Sequence, residues 1–408
     1  MSEAGARHVS IVGVRGPSDH EENELSASFV RAPLPSRQCR VTAVVRVEWH
    51  GPRKGVSAPR MPHMSNLERH PAELVAQCDA PLPVQGSAGS EAPGGAHPLG
   101  GPDVSDIVLL EPRDVPLGGP RAMPVHRTLP QRKKSTIGGW CFLDHYGPDD
   151  VSVTGGMRVP PHPHTGLQTV SWLFQGEIEH RDSVGSHAMV RPGELNLMTA
   201  GHGISHSEDS TPETTVLHGA QLWLALPDAW RDQAPFFERT VPTPVRIGDV
   251  VARVFIGELA GASAEATVFS PLLGAQLDLD AGASVVLDVR ADFEHGILLD
   301  LGDITVEGVE VPHRHLAYVP PGRDRLRLSS VDGARVLLLG GEPLGEQIVM
   351  WWNFIGRTHE DVEASREQWQ NEVIDGADAA GRFGTVADYP GDPLPAPVMP
   401  TVRLKPRE

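Results

Sequence analysis

The sequence predicts an all-β protein of two β-barrels in tandem, followed by one C-terminal helix. Three observations carry that prediction. From about residue 105 to 342 the chain breaks into strand-length segments, alternating or continuously apolar, each bounded by Gly, Pro, Asp or Asn. These segments fall into two successive blocks, the pattern of two barrels or sandwiches. Only one stretch, 358–373 (THEDVEASREQWQNEV), has helical spacing.

The elements follow in chain order. Residues 1–63 show no sustained period beyond one β-like run, VTAVVRVEW at 41–49, and Met64 opens a stretch that reads like an ordinary protein start. Residues 80–104 are rich in Pro, Gly, Ser and Ala and bury too little apolar area to order themselves. Residues 1–104 are therefore expected to be a disordered extension and linker. The first barrel is expected over 105–240, from IVLLEPRDVPLGG to TVLHGAQLWLALP. Within 216–226, Val216, His218, Ala220, Leu222, Leu224 and Leu226 share one face, and Leu217, Gln221, Trp223 and Ala225 share the other. Apolar residues on both faces predict a strand packed between two surfaces. The second barrel is expected over 241–350. Residues 351–408 hold the helix, with Thr358 and Asp361 as a capping box, and a Pro-rich tail that can only lie extended.

Composition excludes several classes. A formal net charge of −18 disfavours direct binding to nucleic acid or to anionic membranes, and the basic cluster Arg132, Lys133, Lys134 is too small to reverse it. No run approaches 18 apolar residues and no signal peptide is evident. The three cysteines, Cys39, Cys78 and Cys141, are odd in number and form no CxxC, so neither a disulfide framework nor a thiolate zinc site is expected. A cytoplasmic location follows as the expectation.

The chemistry lies between Gly156 and Gly176, in GMRVPPHPHTGLQTVSWLFQG. Residues two apart in a strand point the same way, so His162 and His164 project to one face. Pro163 between them restricts the pair to an edge strand or a strand entry. After the Pro192-Gly193 turn, MTAGHGISHSED presents His206 and Glu208 at the same spacing. Two such pairs on adjacent strands offer three imidazoles and one carboxylate to a metal ion, with positions left for water or substrate. Ligand type alone suits Fe, Mn, Co, Ni, Cu or Zn. His180 and His187, in a polar turn region, are expected to be solvated. His218 reads as a core histidine facing the barrel interior. His313 and His315 form another HxH, but nothing in 245–345 supplies a matching pair, so both read as structural.

The strings FLDHYGP, HPHTGLQTVSWLFQGEIEHRDS, PGELNLMTAGHGISHSE and HGAQLWLALP resemble the pirin family of bicupins. Gly156–Gly176 is similar to the first cupin motif, and Pro192–His206 lies where the second falls. GGEPLGEQIVMWWNF resembles the pirin C-terminal barrel, so the likeness spans about 105–372. It implies two cupin barrels of jelly-roll type with a metal, Fe(2+), in the N-terminal barrel only, held by His162, His164, His206 and Glu208. Two departures stand out. General cupins place a glutamate ligand where this chain has Gln168, and the family often has Arg where this chain has His202. His202 is expected not to ligate, since a fifth protein ligand would close the site.

The resemblance implies a quercetin 2,3-dioxygenase-type activity, an O2-dependent ring cleavage of a small flavonol-like aromatic. The metal would polarise a substrate hydroxyl and Glu208 would take its proton. As a metal ligand, Glu208 is expected to have a lowered pKa. Trp172, Phe174, Leu197, Met198 and Leu222 are expected as the apolar walls. The resemblance also implies another class, a metal- or redox-responsive regulatory protein acting through protein contacts.

Overall fold

The computed structural model describes residues 106–117 and 123–407. The extension, the strand-like run at 41–49 and the Pro/Gly-rich stretch lie outside the described residues. Two β-barrels follow one another, each built from a seven-stranded and a four-stranded antiparallel sheet. In the first barrel the large sheet runs, in spatial order, Phe236–Thr240, Leu195–Thr199, Leu167–Gln175, Val216–Ala225, Trp140–Asp150, Met123–Leu129, Arg113–Leu117. Its small sheet runs Arg158–His164, Ile204–Ser210, Ile178–Asp182, His187–Val190. In the second barrel the small sheet has the matching order Ser284–Asp288, Arg325–Ser329, Ile304–Val306, Val309–Val311. The two-barrel, all-β expectation with one C-terminal α-helix is borne out.

The large sheets pack against each other, which explains strands that are apolar on both faces. Ala220, Leu222 and Leu224 join Leu298, Leu337 and Leu339 of the second barrel in one core, while Trp223 and Ala225 point into the first barrel. Trp172 stacks on Phe255 at 4.4 Å, and its Nε1 donates to Gln276 Oε1 at 2.9 Å. A buried polar cluster pins the same interface. His145 Nε2 and His218 Nε2 donate to Asp300 Oδ1 at 2.6 and 2.5 Å, and Arg335 pairs with Asp300 Oδ2. His218 thus faces the other barrel rather than its own interior. The parity that puts Ala220 and Leu222 at the interface puts His218 there too.

The segments that flank the two barrels exchange partners. Val108–Leu110 pairs with Leu316–Val319 in the sheet of the second barrel. The C-terminal segment instead joins the core of the first, where Phe354, Val362, Trp369, Phe383 and Leu394 pack with Val159, Leu173 and Ile178. The helix His359–Trp369 has the capping box at its start: Thr358 Oγ1 accepts from Asp361 N, and Asp361 Oδ2 accepts from Thr358 N, both at 3.1 Å. Val362, Ser365 and Trp369 form its buried face, and a π-turn, Gln370–Ile374, follows. Beyond it the tail is extended. Trp369 Nε1 donates to Leu394 O at 2.8 Å, and Leu394 N donates to Pro161 O at 2.8 Å, so the tail braces the strand that carries His162.

Candidate metal centre

Among the described residues, Arg158–His164 is an edge strand with Ile204–Ser210 as its one ladder partner, which is why Pro160, Pro161 and Pro163 are accommodated. Gly156 enters it at φ +70°, and a Cβ there would come within 2.4 Å of Ser210 Oγ, so only glycine fits the turn. In this pair His206 stands opposite His162. A bulge between His206 and Glu208 then places Glu208 opposite Val159. On its other side the same strand faces Ile178–Asp182, with Asp182 opposite His206 and His180 opposite Glu208.

The three predicted imidazoles come together and are buried. Ring centroids lie 5.0 Å apart for His162 and His164, 4.4 Å for His162 and His206, and 4.9 Å for His164 and His206, and one nitrogen from each falls within 4.8 Å of the others. Burial holds all three below the usual histidine range, His162 at about 4 despite a hydrogen bond to Pro160 O, and the mutual proximity of the rings lowers His164 and His206 further. The imidazoles are therefore neutral at pH 7, the form that binds a metal. His164 Nδ1 and His206 Nε2 are buried with no hydrogen-bond partner. Each such group costs about 1–3 kcal/mol, and a metal ion would satisfy both. The donor set fits one.

Glu208 is buried beside them and groups with His206 and His180 rather than with His162 and His164. Its Oε1 accepts from Ser171 Oγ at 2.8 Å. Burial raises its pKa, against opposing contributions from His180 and Ser171, so in the metal-free protein the shift is opposite to the lowered value expected of a ligand. The cavity above these groups is about 30 Å³ and is lined also by Leu117, Phe142, Asp144, Tyr146, Met157, Val159, Gln221 and Trp223. Phe142 and Trp223 stack at 4.0 Å. Asp144 is locked by Arg127 through bonds of 2.6 and 2.7 Å.

The expected apolar walls are corrected. Trp172, Leu197 and Leu222 lie in the core between the barrels, Phe174 packs against that core, and only Met198 sits with Phe142 and Trp223. A strand apolar on both faces does not announce which face points inward, and a change of one in parity exchanges them. His180 is corrected too. It is buried, with Nδ1 3.4 Å from His206 Nδ1, and it stacks on Phe237. The signal was present in the alternation Ile178, His180, Asp182. His187 is exposed and meets Glu179. His202 is partly buried and belongs to none of the donor groups. Gln168 donates to Thr199 Oγ1 and Thr267 O, both at 2.9 Å. Cys141 is buried, its thiol pushed up to about 12, and so is inert. His313 binds the Asp300 carbonyl at 2.7 Å, and neither it nor His315 enters a donor group. No helix among the described residues is long and apolar enough to cross a membrane.

Comparison with known proteins agrees with this architecture. The pirin family model matches residues 122–224, and the model of the pirin C-terminal cupin domain matches 274–375. The chain belongs to the pirin family. Among its pirin-like relatives is the "Putative quercetin 2,3-dioxygenase" of Pseudomonas aeruginosa, 43% identical over 289 residues, covering 71% of this chain and 89% of that protein. Mouse pirin is 32% identical over 225 residues, covering 52% of this chain and 76% of its own. The crystal structure of a quercetin 2,3-dioxygenase from Acinetobacter baumannii superposes with a TM-score of 0.69 at 38% identity, covering 74% of this chain and 98% of that one. The first of the two pirin barrels thus carries the three-histidine cluster, and the second carries none among the described residues.

Proposed function

We propose that this pirin-family protein is an iron-dependent dioxygenase of quercetin 2,3-dioxygenase type, with His162, His164, His206 and Glu208 as the metal ligands. The observation that carries the reading is the buried cluster of neutral imidazoles with unpartnered His164 Nδ1 and His206 Nε2. When bound, the ion supplies Lewis acidity toward a substrate oxygen. The chain's own residues do the rest. Ser171 holds one oxygen of Glu208, leaving the other to ligate the ion and to take a substrate hydroxyl proton. Asp144 cannot compete as the base, because Arg127 occupies both of its oxygens. Trp223, backed by Phe142, gives the cavity an aromatic wall against which a substrate ring can pack. Relatives named for quercetin 2,3-dioxygenase support the substrate class.

One observation favours a second reading. A cavity of about 30 Å³ admits a water or two. Sites for drug-sized ligands span about 300–1,000 Å³, so a flavonol enters only if the lining side chains move apart. A metal-responsive regulatory protein acting through protein contacts needs no such opening. Metal analysis combined with oxygen uptake on quercetin decides between them. The expected result is one metal per chain and slow uptake that Glu208→Gln abolishes while some metal is retained. Metal-replete protein that cleaves no flavonol with iron, copper or cobalt gives way to the regulatory reading.

A further inference from the structure

We infer that Asp182 and His180 form a positioning relay behind His206, fixing which nitrogen of that imidazole is offered to the metal; the inference rests on the metal reading above. The two nitrogens of His206 differ. Nε2 is buried and unpartnered, whereas Nδ1 lies 3.4 Å from His180 Nδ1. The other nitrogen of His180, Nε2, lies 3.3 Å from Asp182 Oδ2. Asp182 is itself held by the following turn, because its Oδ1 accepts from Val184 N at 3.1 Å and from Ser186 N at 2.8 Å. The His180 ring is clamped by Phe237, stacked at 4.6 Å and 24°.

With His180 in its neutral form, proton counting leaves one arrangement. A carboxylate only accepts, so His180 must donate to it from Nε2. Neutral imidazole has one N–H, so His180 Nδ1 becomes an acceptor. His206 must donate to it from Nδ1, which leaves the lone pair on Nε2. Among the described residues, His180 is the hydrogen-bond partner that His206 has to set that tautomer. Partners that orient a ligating histidine in this way typically contribute 10–100-fold in metal affinity. His180 also falls within 4.8 Å of donors on His206 and Glu208, so a role as ligand is the competing assignment. The geometry disfavours it, since both of its nitrogens already face other partners.

The test uses full-length protein loaded with cobalt(II), with affinity read by chelator competition and coordination by d–d absorption. His180→Phe keeps the stacked shape and removes the acceptor. It is expected to weaken cobalt binding about 10–100-fold and to change the spectrum. His180→Gln, whose amide can accept from His206 and donate to Asp182, is expected to recover affinity to within a few-fold. Should the phenylalanine variant fail to fold, His180→Asn, too short to reach both partners, replaces it with the same expected loss. Wild-type affinity and spectrum in His180→Phe would overturn the relay alone. Loss of metal in His180→Gln as complete as in His162→Ala would make His180 a ligand instead. Wild-type protein that takes up no cobalt would overturn the metal reading and the relay with it.

Discussion

The two barrels share an architecture and differ in what they place at its centre. In the first, the small-sheet pair Arg158–His164 and Ile204–Ser210 sets His206 against His162. In the second, the matching pair Ser284–Asp288 and Arg325–Ser329 sets Leu287 against Leu326, both in an aliphatic core with Leu328 and Val336. The second interior keeps one buried histidine, His295, with both nitrogens unpartnered and no second donor grouped with it among the described residues. A wider groove of about 670 Å³ lies on this second barrel, near Arg290 and Phe293, away from the histidine cluster. The fold therefore does not require a cluster of polar groups in its interior. The first barrel tolerates three imidazoles and a carboxylate there at a cost in desolvation, and a bound ion is what would offset that cost.

Three measurements would break or sharpen this contrast. The largest effect is expected on metal content. His162→Ala, His164→Ala and His206→Ala should each abolish stoichiometric metal, while His313→Ala/His315→Ala should leave it unchanged. One metal per chain in His162→Ala, or a second equivalent that disappears with His313 and His315, would remove the distinction between the barrels. Next in size is stability. Leu326→His should cost about 2–5 kcal/mol in urea unfolding, because it buries an unpaired imidazole in an aliphatic core. His164→Leu should cost the metal-free protein far less, because removal of the orphaned Nδ1 offsets the lost hydrogen bond with the Asn353 backbone. A loss of stability in His164→Leu comparable to that in Leu326→His would show that the imidazoles are structural.

The third measurement is the dependence of stability on pH. His162, His164 and His206 are held below their unfolded values, so between about pH 6.5 and 4 the unfolded chain binds more protons than the folded one. Stability of the metal-free protein should therefore be present above about pH 6.5 and fall as pH drops toward 4. Each histidine contributes up to about 1.4 kcal/mol per pH unit. Replacing all three with leucine should remove their share and leave that of His145 and His295, also lowered by burial. An unchanged slope in the triple variant would place the acid sensitivity elsewhere.

Much of the centre was legible because its residues obey a period of two. His162, His164, His206 and Glu208 stand out as i, i+2 pairs, and Gly156 and the prolines mark an edge strand. The capping box Thr358–Asp361 was legible for the same reason, being a local rule. What escaped depends on packing between elements. Trp172 and Leu222 look like walls of a site until the opposing sheet is known to cover them. His180 looks solvated beside Glu179 and Arg181, yet its parity turns it inward. The partner of His218, Asp300, lies 82 residues away in the other barrel, and no local pattern announces it.

The exchange of flanking segments bears on how the molecule is made. Val108–Leu110 precedes the first barrel in the chain, but its sheet is not formed until Leu316–Val319, in the second, follows. Phe383, Leu394 and Ala396 belong to the core around Val159, on the strand of His162, yet lie far downstream of it, beyond the whole second barrel. Domains of many proteins fold in turn as they emerge. Here the histidine-bearing barrel stays unsealed until the second barrel and the segment after it have been made, so loading of an ion behind a finished wall must wait for both.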